Sequence, residues 1–270
     1  MAITRENIRE EAPLITGPVK VRMVAVSPTK EEAAKLGVNL NNEPNYLIER
    51  DEELIYRLDF YLEGKFVKGE DGKLSQKDIV MKGEEEFTQI FRLPIFISDR
   101  ISVSSGKGKL PQDTIQFINI HGQTSFIPEG GEAPTWFDTT GKRPAYRQEA
   151  TLYEFLIVAC KQNTSKEAPS ILMDTTIPEM IEGNLDELKS IVEDFSDNMF
   201  YVLVGVNDEG WQEVYKTPAS SLTRMKNVIK KANDPGYPWN ADFSETLSYY
   251  VPTTGSSETA TKPELDIDYV

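Results

Sequence analysis

LIYRLDFYL, residues Leu54 to Leu62, is the stretch that decides the fold class. Tyr56, Leu58, Phe60 and Leu62 alternate with Arg57, Asp59 and Tyr61, the two-residue period of a strand with one face turned to a core. Upstream, Lys20 to Val26 has the same β-rich character. Between the two strands, Thr29 with Glu32 forms a capping box, and Gly37 follows Ala33, Ala34 and Leu36 as a stop, which predicts a short helix. The first part of the chain therefore reads β-α-loop-β.

Working toward the C-terminus, strands are expected at Phe87 to Val103, with Pro94 marking a bulge or an edge, and at Thr114 to Ile120. The polar loop SSGKGKLPQD joins them. Thr151 and Glu154 form a second capping box before the apolar stripe Leu152, Phe155, Leu156 and Ala159, and Asn184 with Glu187 opens a further helix. A hairpin follows, with Met199 to Val206 and Trp211 to Tyr215 joined by the turn Asn207 to Gly210. A last helix over Ala219 to Ala232 is expected to turn Leu222, Met225 and Ile229 inward. Strands outnumber helices and follow one another through short turns, so the expectation is a β-rich α+β fold, a barrel or sandwich with helices laid over it. Residues 1–251 read as one domain and 252–270, without core-forming periodicity, as a disordered acidic tail.

The 270 residues carry 29 Lys and Arg against 44 Asp and Glu, a net charge of −15, so bulk positive charge is not how this protein finds a partner. A single Cys and a single His exclude an internal disulfide and every zinc site built from several of these ligands. No metal, cofactor or catalytic residue is expected: Cys160 abuts an apolar stripe and reads as an inert buried thiol, and His121 as a turn or surface residue. The longest apolar run, Met199 to Val206, is far short of the roughly 20 residues of a membrane helix, which predicts a cytoplasmic protein without a membrane partner.

Charge is distributed unevenly. Residues 163–213 hold 12 acids and two bases, whereas residues 215–231 hold five bases, Lys216, Arg224, Lys226, Lys230 and Lys231, and no acid. Arg92, Arg100, Lys107 and Lys109 are interleaved with Phe91, Phe96, Phe117 and Phe126. Basic side chains track a phosphate backbone while aromatic faces stack unpaired bases, so the combination suits single strands. Strand alternation offers a plainer reading, with Phe91, Phe96 and Phe117 in the core. GKGKL lacks the spacing of a phosphate-binding loop, and its lysines either lie along a nucleic-acid backbone or decorate a hairpin tip. Arg143, Tyr146 and Arg147 either line the same groove or pack at the start of a helix.

Taken in order, GPVKVRMVAVSPTKEEAAKLG (17–37), EPNYL (43–47) with YRLDFYL (56–62), FINIHGQTSF (117–126), WFD (136–138), RPAYRQEATLYEFL (143–156) and WQEVY (211–215) resemble the single-stranded DNA-binding proteins of tailed bacteriophages. The resemblance implies an OB-like antiparallel barrel with peripheral helices and no enzymatic activity. It further implies a role in coating replication and recombination intermediates in the host cytoplasm. Trp136 and Tyr215 then join the basic residues above as DNA-binding candidates. The acidic tail, through Glu264, Asp266, Asp268, Tyr269 and Val270, would recruit phage or host replication proteins, and self-association stays open. The competing class is a phage structural or assembly protein, which would need none of these basic patches.

Overall fold

β3 (Glu53–Lys68) runs through the middle of a curled antiparallel sheet in the computed structural model, which describes residues 14–104, 110–160, 185–207, 210–236 and 241–250. β5 (Glu85–Ser98) pairs with β3 without interruption, from Ile55–Ser98 to Lys68–Glu85. Along its other edge β3 meets β2 (Leu47–Arg50), the second half of β1 (Leu14–Val26) and β4 (Leu74–Ser75). β1 also pairs with β9 (Phe200–Asn207), and β9 with β10 (Gln212–Val214). β10 returns to β5, where Gln89 Nε2 donates to Gln212 Oε1 at 2.5 Å. The result is a half-barrel whose seam is bridged by side chains.

The alternation read in Leu54 to Leu62 explains the core. Tyr56, Leu58, Phe60 and Leu62 are buried together with Phe91, Leu93 and Ile95 of β5, Val19 and Val21 of β1, and Val202 and Val204 of β9. α2 (Glu149–Ala159) packs into the same core, with the Phe155 ring 4.6 Å from Phe60 and 5.8 Å from Phe200. α3 (Asp186–Asp194) lies against β1, and α1 (Lys30–Lys35) carries the expected Thr29–Glu32 capping box. A second, smaller core forms where α4 (Leu222–Ala232) lays Met225, Val228, Ile229 and Ala232 over Leu203, Tyr215, Ala219 and Phe243. The stretch between β5 and α2 holds a three-stranded sheet of β6 (Ile115–Ile118), β7 (Thr124–Ile127) and β8 (Arg143–Pro144).

Two wedges hold the sheet open. β1 and β9 stay paired as far as Gly17–Val204; beyond that point β11 (Ala241–Phe243) pairs with β9 and β12 (Ser248–Tyr250) with β1. Gly17 has φ +103°, and a Cβ there would collide with the carbonyl oxygen of Thr246, so glycine is required at the parting. The second wedge is the side chain of Gln76. Its Oε1 accepts from Lys20 N at 2.6 Å, and its Nε2 donates to Lys20 O at 2.8 Å and Lys65 O at 3.1 Å. The amide substitutes for the ladder that β1 and β3 would otherwise continue past Arg22–Glu63.

Several expectations need correction. Of the bulge or edge expected at Pro94 the structure has the edge: Pro94 sits opposite Asp59 in an unbroken ladder, on a strand with no ladder partner at its other edge among the described residues. α2 begins at Glu149, not Thr151. Its N-cap Gln148 has φ +62° and offers no side-chain cap, so the Thr151–Glu154 box does not form. Leu222, the first residue of α4, is exposed, and Val228 takes the inward place expected of it. Asn184 and the tail lie outside the described residues, among which no helix is long and apolar enough to cross a membrane.

Candidate nucleic-acid interface

The face of β3 and β5 that points away from the core carries the cross-strand pairs Arg57–Phe96, Asp59–Pro94 and Tyr61–Arg92. Asp59 is only 1% exposed and is ringed by cations: Arg57 donates through Nε at 2.8 Å and Nη2 at 2.6 Å, and Arg92 approaches through Nε at 3.0 Å. Its backbone is fixed by Ser27, whose N–H donates to Asp59 O at 2.8 Å and whose Oγ accepts from Asp59 N at 3.3 Å. Tyr46 flanks this face, its hydroxyl donating to Pro28 O and its carbonyl accepting from Arg57 N. Burial pushes the Asp59 carboxyl above its ordinary range, and the hydrogen bonds from Arg57 pull it back. The guanidiniums remain partly open, with side-chain exposures of 23% for Arg57 and 43% for Arg92, and Phe96 is half-buried between them and the strand end.

Arg92 also lines a groove of about 380 Å³ at the seam, together with Pro94, Gln212, Glu213, Lys216 and Phe243. Lys216 donates to Gln148 Oε1 at 3.3 Å, and desolvation lowers its ammonium pKa. Beyond Gln148, Arg147 and Arg100 both approach Glu53, at 3.7 and 4.0 Å, and Arg100 also donates to Asp51 O at 2.8 Å. Three expected residues drop out of this surface. The Tyr215 ring is buried in the second core, 5.6 Å from Phe243, and presents no face to a base. Arg143 is taken up by the buried carboxylate of Glu149, and Tyr146 packs half-buried against the main core.

Trp136 is 61% exposed. Its neighbours hold it out: Phe137 is buried with its ring 5.9 Å away, and Asp138 accepts from Thr140 N and Oγ1 while its other oxygen lies 3.1 Å from His121 Nε2. Asn119 ties this turn together by accepting from His121 N and Gln123 N and donating to Asp138 O. Close in sequence, Lys142 Nζ stands 4.8 Å over the Phe117 ring. On α4, Arg224, Lys226, Lys230 and Lys231 are all exposed, and Lys226 lines a groove of about 430 Å³ with Lys20, Tyr201 and Leu222. Lys107 and Lys109, like Glu264 to Val270, lie outside the described residues.

The chain matches no protein-family model, no curated protein and no solved structure.

Of the residues picked out in the sequence, Arg92 and Lys216 meet in one groove and Arg100 and Arg147 share one carboxylate. Arg57, Asp59 and Lys20 were missed. Arg57 and Asp59 look like the ordinary solvent side of an alternating strand, and only the packing of Tyr46 and Ser27 over that side makes them a buried ion cluster. Cys160 is buried, and desolvation pushes its thiol up to about 12, which suits a core residue. No group of three potential metal ligands occurs among the described residues.

Proposed function

We propose that this protein is a non-enzymatic, sequence-independent single-stranded DNA-binding protein of the kind made by tailed bacteriophages, built on an OB-like barrel. Around the sheet the strands run β1-β3-β5-β10-β9 and back to β1, which in chain order is first, second, third, fifth and fourth, with α2 and α3 between the third and fourth. That order supports the OB-like reading, in which the face of the second and third strands takes oligonucleotides. The observation that carries the function is that this same face, here β3 and β5, bears Arg57, Arg92 and Phe96 and runs into a groove holding Lys216. Guanidiniums at strand spacing contact successive phosphates, and exposed aromatic rings such as Trp136 give unpaired bases a platform. Residues 252–270 recruit replication partners in this reading, supported by the alternation of Leu265, Ile267 and Tyr269 with Glu264, Asp266 and Asp268.

A structural or assembly role is the second reading. Ile79, Val80 and Met81 form an exposed apolar run, and contiguous apolar surface marks a protein interface. Titration of fluorescent oligo-dT at two salt concentrations decides between them. Saturable binding whose log affinity falls with log salt by about 0.7 per phosphate contact supports the DNA-binding reading, and no saturable binding overturns it.

A further inference from the structure

We propose that Asp59 is a positioning residue of the DNA-binding face, whose negative charge strengthens the grip on a polyanion by fixing the two guanidiniums that make the contact. The inference rests on the function proposed above.

An acidic side chain beneath a DNA-binding surface is at first sight a liability, since it lowers the local potential by a full charge. Here the geometry argues the opposite. Arg57 and Arg92 reach the same carboxylate from two strands, Arg57 from two positions along β3 and Arg92 from β5. Without Asp59 the two cations would repel each other, and each would regain the rotamer freedom that makes a long side chain costly to order on binding. With it, two N–H donors of Arg57 are held on Asp59 and Arg92 is drawn to the same carboxylate as an ion pair, which leaves the remaining donors of both guanidiniums on the open side. Two cations and one anion leave a net charge of +1 on the face. Asp59 can hold this place because its own position is set from behind, by both hydrogen bonds to Ser27 and by the cover of Tyr46. Arg92 keeps 43% of its side chain exposed at the lip of the groove, where a phosphate can reach it.

The test is oligo-dT binding by the full chain and its variants, each first checked for folding by a urea melt. Simple electrostatics predicts that Asp59→Asn tightens binding. Positioning predicts that it weakens binding about tenfold, the scale of one charge-assisted contact, and flattens the salt dependence. In an Arg57→Ala/Arg92→Ala background there is nothing left to position, so adding Asp59→Asn should then tighten binding slightly. Each affinity is referred to the folded fraction from the urea melt, because removing both arginines leaves the Asp59 charge buried and unpaired and Asp59→Asn relieves it; the reversal of sign counts only if it persists after that correction. If Asp59→Asn fails to fold, Arg92→Lys decides: it keeps the charge and loses the fork, and affinity equal to wild type overturns the inference. Wild-type binding with Asp59→Asn at or above wild-type affinity overturns the inference alone. No binding by the wild type overturns the proposed function and this inference with it.

Discussion

The carboxylate of Glu149, with no exposed surface, accepts Arg143 Nη2 at 2.6 Å and Nη1 at 3.2 Å, and also takes the backbone N–H of Tyr146 at 2.8 Å. One side chain thereby ties the chain just before α2 to β8. Removing Arg143 leaves the Glu149 charge buried and uncompensated, which costs about 3–5 kcal/mol, whereas Arg143, 39% exposed, can turn to water when Glu149 is removed. Arg143→Ala should lower Tm by roughly 6–20 °C, given about 2–4 °C per kcal/mol for a chain of this size, and Glu149→Ala by less. Oligo-dT affinity of the folded fraction should stay unchanged. A selective binding defect in Arg143→Ala at unaltered Tm would return this arginine to the interface.

Trp136 gives the opposite pattern. Its indole is exposed while Phe137 and Asp138 anchor the turn, so Trp136→Ala should leave the urea midpoint untouched. Base stacking is worth about 1–3 kcal/mol, so affinity for oligo-dT should fall by about tenfold or more. In the wild type, oligo-dT should quench tryptophan fluorescence, and the variant should lose part of that quench.

Two buried tyrosines of β3 set an alkaline limit. Desolvation pushes Tyr56 and Tyr61 up to about 12, so above pH 10 the unfolded chain releases protons that the folded chain keeps. The folded state then binds more protons, and stability falls as pH rises, by up to about 1.4 kcal/mol per pH unit for each tyrosine until pH 12. Cys160, also raised to about 12, adds to the same slope from about pH 9. Urea midpoints measured between pH 8 and pH 11 should decline steadily above pH 9. A flat profile would mean that these groups ionise as freely in the fold as out of it.

Arg224, Lys226, Lys230 and Lys231 stand on the exposed side of α4, away from Met225 and Ile229. Replacing all four by Ala should preserve the fold and make the salt dependence of oligo-dT binding shallower, by up to about 2.8 if every cation meets a phosphate. An unchanged slope would confine the contact to the β3–β5 face and its seam.

What could be read in advance followed local chemistry. The Thr29 box, the β9–β10 hairpin and the two-residue period of β3 are each specified by residues within a few positions of one another, and all three are present. Asp59 shows where local reading stops. Alternation assigns it to solvent, yet the segment carrying Ser27 and Tyr46 folds over it, and burial turns a surface acid into the hub of an ion cluster. The same limit applies to Thr151 and Glu154, whose spacing is right for a cap but which already lie inside a helix that starts at Glu149, where Arg143 of β8 holds the carboxylate. Tyr215 entered through the resemblance alone, and its burial depends on how α4 and Phe243 pack over it, which spacing along the chain does not specify.

The parting at Gly17 sets a timetable for the newborn chain. Leu14, Ile15 and Thr16 find their partners only at Tyr250, Tyr249 and Ser248. A ribosome adding about 5–20 residues per second needs roughly 10–50 s to travel from one set to the other. Throughout that interval the leading strand hangs with one margin unzipped, an invitation to any neighbouring nascent chain. Pro18, beside the glycine, has no N–H to offer such a stranger, so the ladder position next to the parting cannot donate to one.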